Sequence, residues 1–347
     1  MIAPPRSPVN RAAQAPLPHQ QRRVPILVGM RRLWRLSFAG VFSIVASLAQ
    51  VSIVQEPTQA RIEIDGKPFA TFYYGPDTTK PYLHPLRAAS GKILTRRYPM
   101  EIVEGESRDH PHHRGLWYAH GDVNGIDFWS SDPTRQGEKF GRIVLERVLE
   151  TKSGKEQGSI LARFRWQDSK GQDLLIETRR MTFYSHPQLR IIDVDITLEA
   201  VQKCRFGDTK EGTFAIRVAE PINERRGGTL VNAHGAKGEK AVWGKRAPWA
   251  DYYGQIDGET YGIAIFDHPD NPKHPPFWHA RAYGLFAVNI FGERDFYADP
   301  SRDGSVVLEP GQQLRFRYRV VIHPGDPETA KIAELYEQYA RGRKASD

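Results

Sequence analysis

A two-residue hydrophobic period, carried over several long stretches, restricts the fold of this chain more than any other feature. Ile160, Ala162, Phe164 and Trp166 alternate with Leu161, Arg163, Arg165 and Gln167. Ile192, Val194, Ile196 and Leu198 alternate with Ile191, Asp193, Asp195, Thr197 and Glu199. Leu314, Phe316, Tyr318, Val320 and Ile322 alternate with Arg315, Arg317 and Arg319. Successive side chains of a strand point to opposite faces, so each run describes an antiparallel strand with one buried and one wet face. Turn clusters such as Ser153-Gly154, Ser169-Lys170-Gly171 and Arg302-Asp303-Gly304 separate the runs, and 158–184 reads as a hairpin.

One helix stands out, over 327–341 at the C-terminal end. Asp326 suits the N-cap, Pro327 the first helical position and Glu328 the positive end of the dipole. Ile332, Leu335, Tyr336 and Tyr339 then share a face that packs on a sheet edge, and the helix ends near Gly342. The expected fold is all-β: a large antiparallel β-sandwich with a C-terminal helix, forming a single domain over 50–347.

Residues 1–49 read differently, as a leader and signal peptide. Met30 opens a second plausible start, followed by Arg31, Arg32 and Arg35, an apolar run from Leu36 to Val45, and Ser47-Leu48-Ala49 before Gln50. Charge, a short apolar stretch and small residues at −3 and −1 make a secretory signal, too short to span a bilayer comfortably. The expected location is periplasmic or secreted, without membrane attachment once the signal is cleaved.

The leader also changes the meaning of the net charge. It holds seven Arg and no Lys, Asp or Glu, and so accounts for +7 of the formal +8. The remainder is close to neutral and gives no electrostatic reason to expect a nucleic-acid partner. Cys204 is alone, which excludes an intramolecular disulfide.

The densest chemical constellation runs from Arg108 to Asp122, with Asn124, Asp127 and Trp129 following. His110, His112, His113 and His120 fall within eleven residues, and polar groups at such density need partners if buried. Two chemistries fit. His110 and His112, with His120 or Asp122 as a third ligand, have donors suited to zinc or copper, although no fixed metal spacing is matched. Sugar recognition is preferred: His and Arg donate to hydroxyls, Asp accepts from them, and Trp stacks on a pyranose face. No cofactor is predicted, and a metal ion is the alternative.

Two further clusters follow. Glu211, before Gly212, sits where a turn meets a strand that carries Arg217, and a carboxylate at a strand mouth is a candidate general base. The third region is rich in Pro and aromatics: Trp249, Tyr252, Trp278 and Tyr283 are suited to walling a cleft, with Asp251, His268, His279 and Arg281 as polar contacts.

The runs Asp109–Trp117, His120–Trp129, Lys210–Phe214 and Trp278–Gly284 resemble a bacterial family labelled "methane oxygenase PmoA", and the likeness covers nearly all of 61–341. Methane chemistry is not taken over from that label, because no run after Gln50 is long and apolar enough to span a bilayer. The resemblance implies a setting among secreted sugar-degrading systems and a galactose-mutarotase-like supersandwich. There, an early His/Arg loop, a mid-chain pair and a late carboxylate share a concave face. This chain departs from the mutarotase pattern by offering Glu211 and Arg217 where those enzymes carry a catalytic His.

The resulting expectation is an exported carbohydrate-active enzyme, a hydrolase, lyase or epimerase, working on a glycoside or oxidised sugar derivative by general acid–base catalysis. His113 is the expected acid and Glu211 the base, with His279 as the third catalytic residue. His112, His120, Asp122, Trp129, Arg217, Trp249, His268 and Arg281 are the expected contacts to a small-molecule or oligosaccharide substrate. Alternatives from other classes are a non-catalytic carbohydrate-binding protein and a copper or iron oxidase.

Overall fold

A computed structural model describes residues 50–135 and 137–342. The signal-peptide expectation, from Met30 to the cleavage site at Ala49, falls outside these residues.

Two eight-stranded antiparallel sheets dominate. In spatial order, the first contains Val51–Gln55, Gln59–Ile64, Lys67–Tyr73, Tyr82–His84, Leu116–His120, Gly212–Arg217, Leu285–Asn289 and Phe277–Ala280. The second contains Thr229–Asn232, Trp249–Ile256, Glu259–Asp267, Gln313–Pro324, Arg190–Ala200, Asp173–Tyr184, Gln157–Gln167 and Arg142–Lys152. The three alternating runs are strands of the second sheet. The expected hairpin joins Gln157–Gln167 to Asp173–Tyr184, its turn closed by Asp168 Oδ1 accepting from the amides of Lys170 and Gln172.

The sheets meet face to face through aromatic side chains. Phe72 packs edge-on against Phe164, Tyr118 against Trp166, and Phe214 stacks on Tyr318 with centroids 4.4 Å apart. Phe72, Tyr118 and Phe214 belong to the first sheet and their partners to the second, so these pairs fix which face of each sheet is the core. Burying a large side chain contributes about 1.5–3 kcal/mol, and the aromatic geometry adds to this. Architecture and fold class are those the alternation predicts.

The C-terminal helix is shorter than expected, covering Ile332–Ala340 rather than 327–341. Asp326 does cap, but it caps a turn: its Oδ1 accepts from the Thr329 amide and its carbonyl from the Ala330 amide. Lys331 then takes a left-handed conformation (φ +55°), which separates that turn from the helix. Ile332, Tyr336 and Tyr339 pack on Ile191, Ala264, Phe266 and Val321. The helix therefore covers the outer face of the second sheet, not an edge.

Candidate active site: a histidine-lined cleft on the first sheet

Side-chain parity decides where chemistry can sit. Tyr118 and Phe214 point into the core, so Trp117 and Ala215 project from the opposite face of the first sheet. Trp117 pairs with Ala215, Ala215 with Ala287, and Ala287 with His279. Directly opposite residues share a face. A row across four strands thus places two small alanines between an indole and an imidazole. Over this face lies a cleft of about 380 Å³, lined by His110, His112, His113, Glu211, His279 and Tyr283, with Ser130, Lys210 and Arg281 completing the wall.

The 107–113 loop is held to this face by buried guanidinium groups. Arg96, fully buried, donates to the carbonyls of Asp109 (2.7 Å) and His110 (2.9 Å) and to Asp109 Oδ1 (2.5 Å). Arg217 donates to the same Oδ1 at 2.7 Å and to Ser107 Oγ at 3.2 Å. Asp109 Oδ2 lies 3.2 Å from His110 Nδ1. Despite partial burial, these partners hold the Asp109 carboxyl well below the usual carboxylate range. Gly115 then returns the chain to the sheet at φ +56°. A Cβ there would lie 2.1 Å from the Leu83 carbonyl oxygen, so only glycine fits.

Ring stacking fixes the histidines. His113 stacks on Trp117 (5.2 Å), His110 on His113 (4.8 Å, planes within 8°), and Tyr283 on His110 (5.1 Å, within 4°). His112 meets His113 edge-on at 4.3 Å. Imidazoles stacked face to face do not converge their lone pairs on one point. Among the described residues, no three His, Cys, Asp or Glu side chains are grouped to hold one ion.

Two hydrogen bonds settle protonation. Arg217 Nη1 donates to His113 Nδ1 at 3.2 Å, and Trp243 Nε1 donates to His279 Nδ1 at 3.0 Å. Guanidinium and indole only donate, so in both neutral rings the proton sits on Nε2. Burial, then His112 and Arg217, pushes His113 well below its ordinary value. Burial and then Arg281 push His279 down to about 3, and burial with Lys80 pushes His112 to about 2. Near neutral pH the cleft thus offers neutral imidazole N–H donors. For His113, the expected acid, burial and then His112, Arg217, His110 and Arg96 disfavour the charged ring, so the proton it can offer is the Nε2–H of the neutral imidazole.

Glu211 enters from the turn before Gly212–Arg217. Asn289 Nδ2 holds this turn by donating to the carbonyls of Thr209 and Lys210 (both 2.9 Å), and Asp295 Oδ2 accepts from the Lys210 amide. The Gly121 Cα lies so close that a Cβ there would come within 2.8 Å of Glu211 Cβ. Glu211 is half-buried; burial first, then Asp127 and Asp295, raise its pKa against the opposing pull of Lys210. Arg281 reaches the cleft with its Nε 2.9 Å from Glu239.

The structure therefore brings His112, His113, Glu211, His279 and Arg281 together, with Arg217 directly behind His113. It does not bring in five others. His120 shares the parity of Tyr118 and points inward between Phe206 and Phe291, its Nε2 2.9 Å from the Gly207 carbonyl. Asp122 is a turn residue, accepting from the Gly125 amide and packed on Gly207. Trp129 is fully buried behind Trp117 and His113. Trp249 and His268 lie on the outer face of the second sheet: Trp249 packs with the C-terminal helix cluster and His268 against Tyr339. Of the remaining candidates, Asp251 is bound in a buried pair with His323 (2.7 Å), and Trp278 donates to the Ala247 carbonyl from within the core. Arg96 lies outside every sequence motif, whereas Asp109 and Lys210 open two of them without having been expected at the site.

Fold and site together define an all-β protein of two large antiparallel sheets with a histidine- and glutamate-lined cleft on the side of one of them that faces away from the other. The chain belongs to the family described as "Family of unknown function (DUF6807)", which matches residues 59–337. No curated protein matches it. Among solved structures it is similar to a family GH36 α-galactosidase from Geobacillus stearothermophilus, at 10% identity over 80% of this chain and 40% of that one, with a TM-score of 0.38. It is also similar to heparan sulfate lyase from Pedobacter heparinus, at 9% identity over 80% of this chain and 36% of that one, with a TM-score of 0.36. A third similarity is to a galactose mutarotase related enzyme from Lactobacillus acidophilus, at 8% identity over 79% of this chain and 97% of that one, with a TM-score of 0.31. The chain spans about two fifths of the length of the α-galactosidase.

Proposed function

We propose that this chain is an exported carbohydrate-active enzyme that works by general acid–base catalysis on an oxidised sugar derivative, with a glycoside as the other substrate class. The observation that carries the reading is the meeting of one half-buried carboxylate, Glu211, with the N–H donors of His113 and His279 in a single cleft. Glu211 is the one carboxylate among the cleft-lining residues, whereas glycoside hydrolysis ordinarily uses a pair. One base with two N–H donors suits a different step. Glu211 removes a proton from the carbon beside a carbonyl, the C–H electron pair moves into the new C=C, and the carbonyl π pair moves to oxygen. His113 and His279 hold that oxyanion by hydrogen bonds. The raised pKa of Glu211 makes it a stronger base than a solvated carboxylate and lets it return the proton. The kinship with the group labelled "methane oxygenase PmoA" rests on the motif likeness alone and adds no chemistry.

The test is deuterium wash-in. Keto-sugars and sugar lactones incubated with the protein in D2O are followed by proton NMR, and exchange at the carbon beside the carbonyl is expected with wild type and abolished in Glu211→Gln. Sugar binding with no exchange for any of these compounds points instead to the non-catalytic carbohydrate-binding reading. Export is tested by expression from Met30 in a Gram-negative host, where periplasmic protein with an N-terminus near Gln50 is expected; a cytosolic product that retains Met30 overturns it.

A further inference from the structure

Beside the cleft, across Tyr283, lies a second cavity of about 300 Å³ whose walls include Ser107, Asp109, Glu220, Arg225 and Arg226. Its acidic groups are already consumed. Asp109 is bound by Arg96, Arg217 and His110. Glu220 accepts from the Ser107 amide and from Asn223 Nδ2, both at 3.1 Å. Its basic groups are not. Arg225 has no carboxylate partner within 4.0 Å among the described residues; its guanidinium lies over the Tyr283 ring, 5.5 Å from the centroid. Arg226 has only a loose contact, its Nε 3.7 Å from Glu220, and is mostly exposed, and such surface pairs contribute little. Two guanidinium groups with unused donors therefore face a cavity that shares its Tyr283 wall with the cleft.

We propose that this cavity is a subsite of the same binding site, and that it takes an anionic substituent of the sugar, a carboxylate or a sulfate, on Arg225 and Arg226. The inference rests on the sugar reading of the cleft and names the substrate class within it. A guanidinium fork matches both anions through paired N–H donors, and Arg225 is pre-positioned by its contact with Tyr283. The Tyr283 ring is stacked with His110 on the cleft side, so a sugar ring in the cleft reaches the subsite with a neighbouring unit or a charged exocyclic group. Each cavity is near the lower end of the ~300–1,000 Å³ usual for small-molecule sites. Together they suit a ligand longer than one unsubstituted ring.

The experiment is calorimetric titration of the full chain with D-glucuronate, D-glucose 6-sulfate and D-glucose at low ionic strength. At least one of the two anions is expected to bind about tenfold or more tightly than glucose. Which anion does so identifies the substituent. Arg225→Ala/Arg226→Ala is expected to reduce its affinity to that of glucose, and Arg225→Glu to reduce it further; both positions are exposed, so these variants fold. Equal binding of all three sugars by wild type, or undiminished anion binding by the double variant, overturns the subsite while leaving the sugar reading in place. If none of the three binds, the sugar reading fails and the subsite with it.

Discussion

Nη1 of Arg217 lies 3.2 Å from Nδ1 of His113, and this one contact sets the proton inventory of the cleft. Arg217 is itself held by Asp109, so the chain Asp109–Arg217–His113 fixes both the position and the tautomer of the imidazole. Nitrogen-15 NMR of selectively labelled protein at pH 7 is expected to report His113 and His279 as neutral rings protonated at Nε2. A protonated Nδ1 on either ring overturns the assignment of donors.

Catalytic substitutions separate the groups by role. Glu211→Gln, His113→Ala and His279→Ala are each expected to lower kcat/KM by ~100-fold or more. Circular dichroism and melting temperature should stay near wild type for Glu211→Gln, whose side chain is half-exposed. The pH profile of kcat/KM is expected to rise through an apparent pKa above the usual ~4.3 of a glutamate. No inflection is expected from His113 or His279 near the ordinary ~6.5 of a histidine, because burial keeps both neutral there.

The same burial makes the fold acid-sensitive. In the folded protein His279 titrates at about 3, His112 at about 2 and His120 at about 4, with His113 also far below its ordinary value. In the unfolded chain these rings take up protons as pH falls below about 6.5. Over that window the unfolded state binds more protons. Stability is therefore full above pH ~6.5 and lost as pH falls toward the folded values, by up to ~1.4 kcal/mol per pH unit for each ring. His323 acts in the opposite sense: Asp251 outweighs the cost of burial and raises its pKa, so its contribution is full below about 6.5 and lost as pH rises through its folded value. His84, His186 and His268 are also lowered, chiefly by burial, so one ring opposes seven. Urea midpoints are expected to fall between pH 7.5 and pH 5.5, and a rise across that interval contradicts the argument.

Asp109→Asn removes the one carboxylate shared by Arg96 and Arg217, both almost wholly buried. Uncompensated buried charge costs about 3–5 kcal/mol. Partial exposure of Asp109 places the expected loss near ~3 kcal/mol, read from denaturant midpoints at constant m. A near-neutral result shows that the loop is held by the carbonyl contacts of Arg96 alone.

Gly115→Ala tests the return of the loop to the sheet. The φ of +56° and the 2.1 Å approach of a Cβ to the Leu83 oxygen make alanine both strained and crowded. A loss of more than about 1 kcal/mol is expected, together with weaker ligand binding because His113 shifts with the loop. Wild-type stability for this variant contradicts that account.

Much of this was legible in the sequence because it depends on local period. Strands of the second sheet carry alternating polarity and declared themselves, whereas Leu116–His120, Gly212–Arg217 and Leu285–Asn289 are buried on both faces and show almost no alternation. That hid the parity which separates Trp117, facing the cleft, from His120, facing the core. Trp249 and His268 looked equivalent to His279 because proline-rich aromatic loops border all three, and only the order of strands places them on the outer face of the other sheet. The role of Arg96 depends on backbone carbonyls, which any residue supplies, so no motif could report it. The helix start was misplaced because Asp326, Pro327 and Glu328 favour a first turn, while the left-handed Lys331 that interrupts it has no marker.

The row Trp117, Ala215, Ala287, His279 has a consequence for how the protein responds to a ligand. Three of these residues lie on strands paired on both sides within the first sheet, and their amides are buried. Such a floor has no local opening of its own: it exchanges its amide hydrogens when the whole sheet comes apart. The amides of Trp117, Ala215 and Ala287 therefore belong among the slowest to exchange, and a bound ligand slows them by the full free energy of binding rather than by tightening a flexible wall. Adaptation to substrate is left to the loops above, 107–113 and 208–211, which reach the floor from outside the sheet.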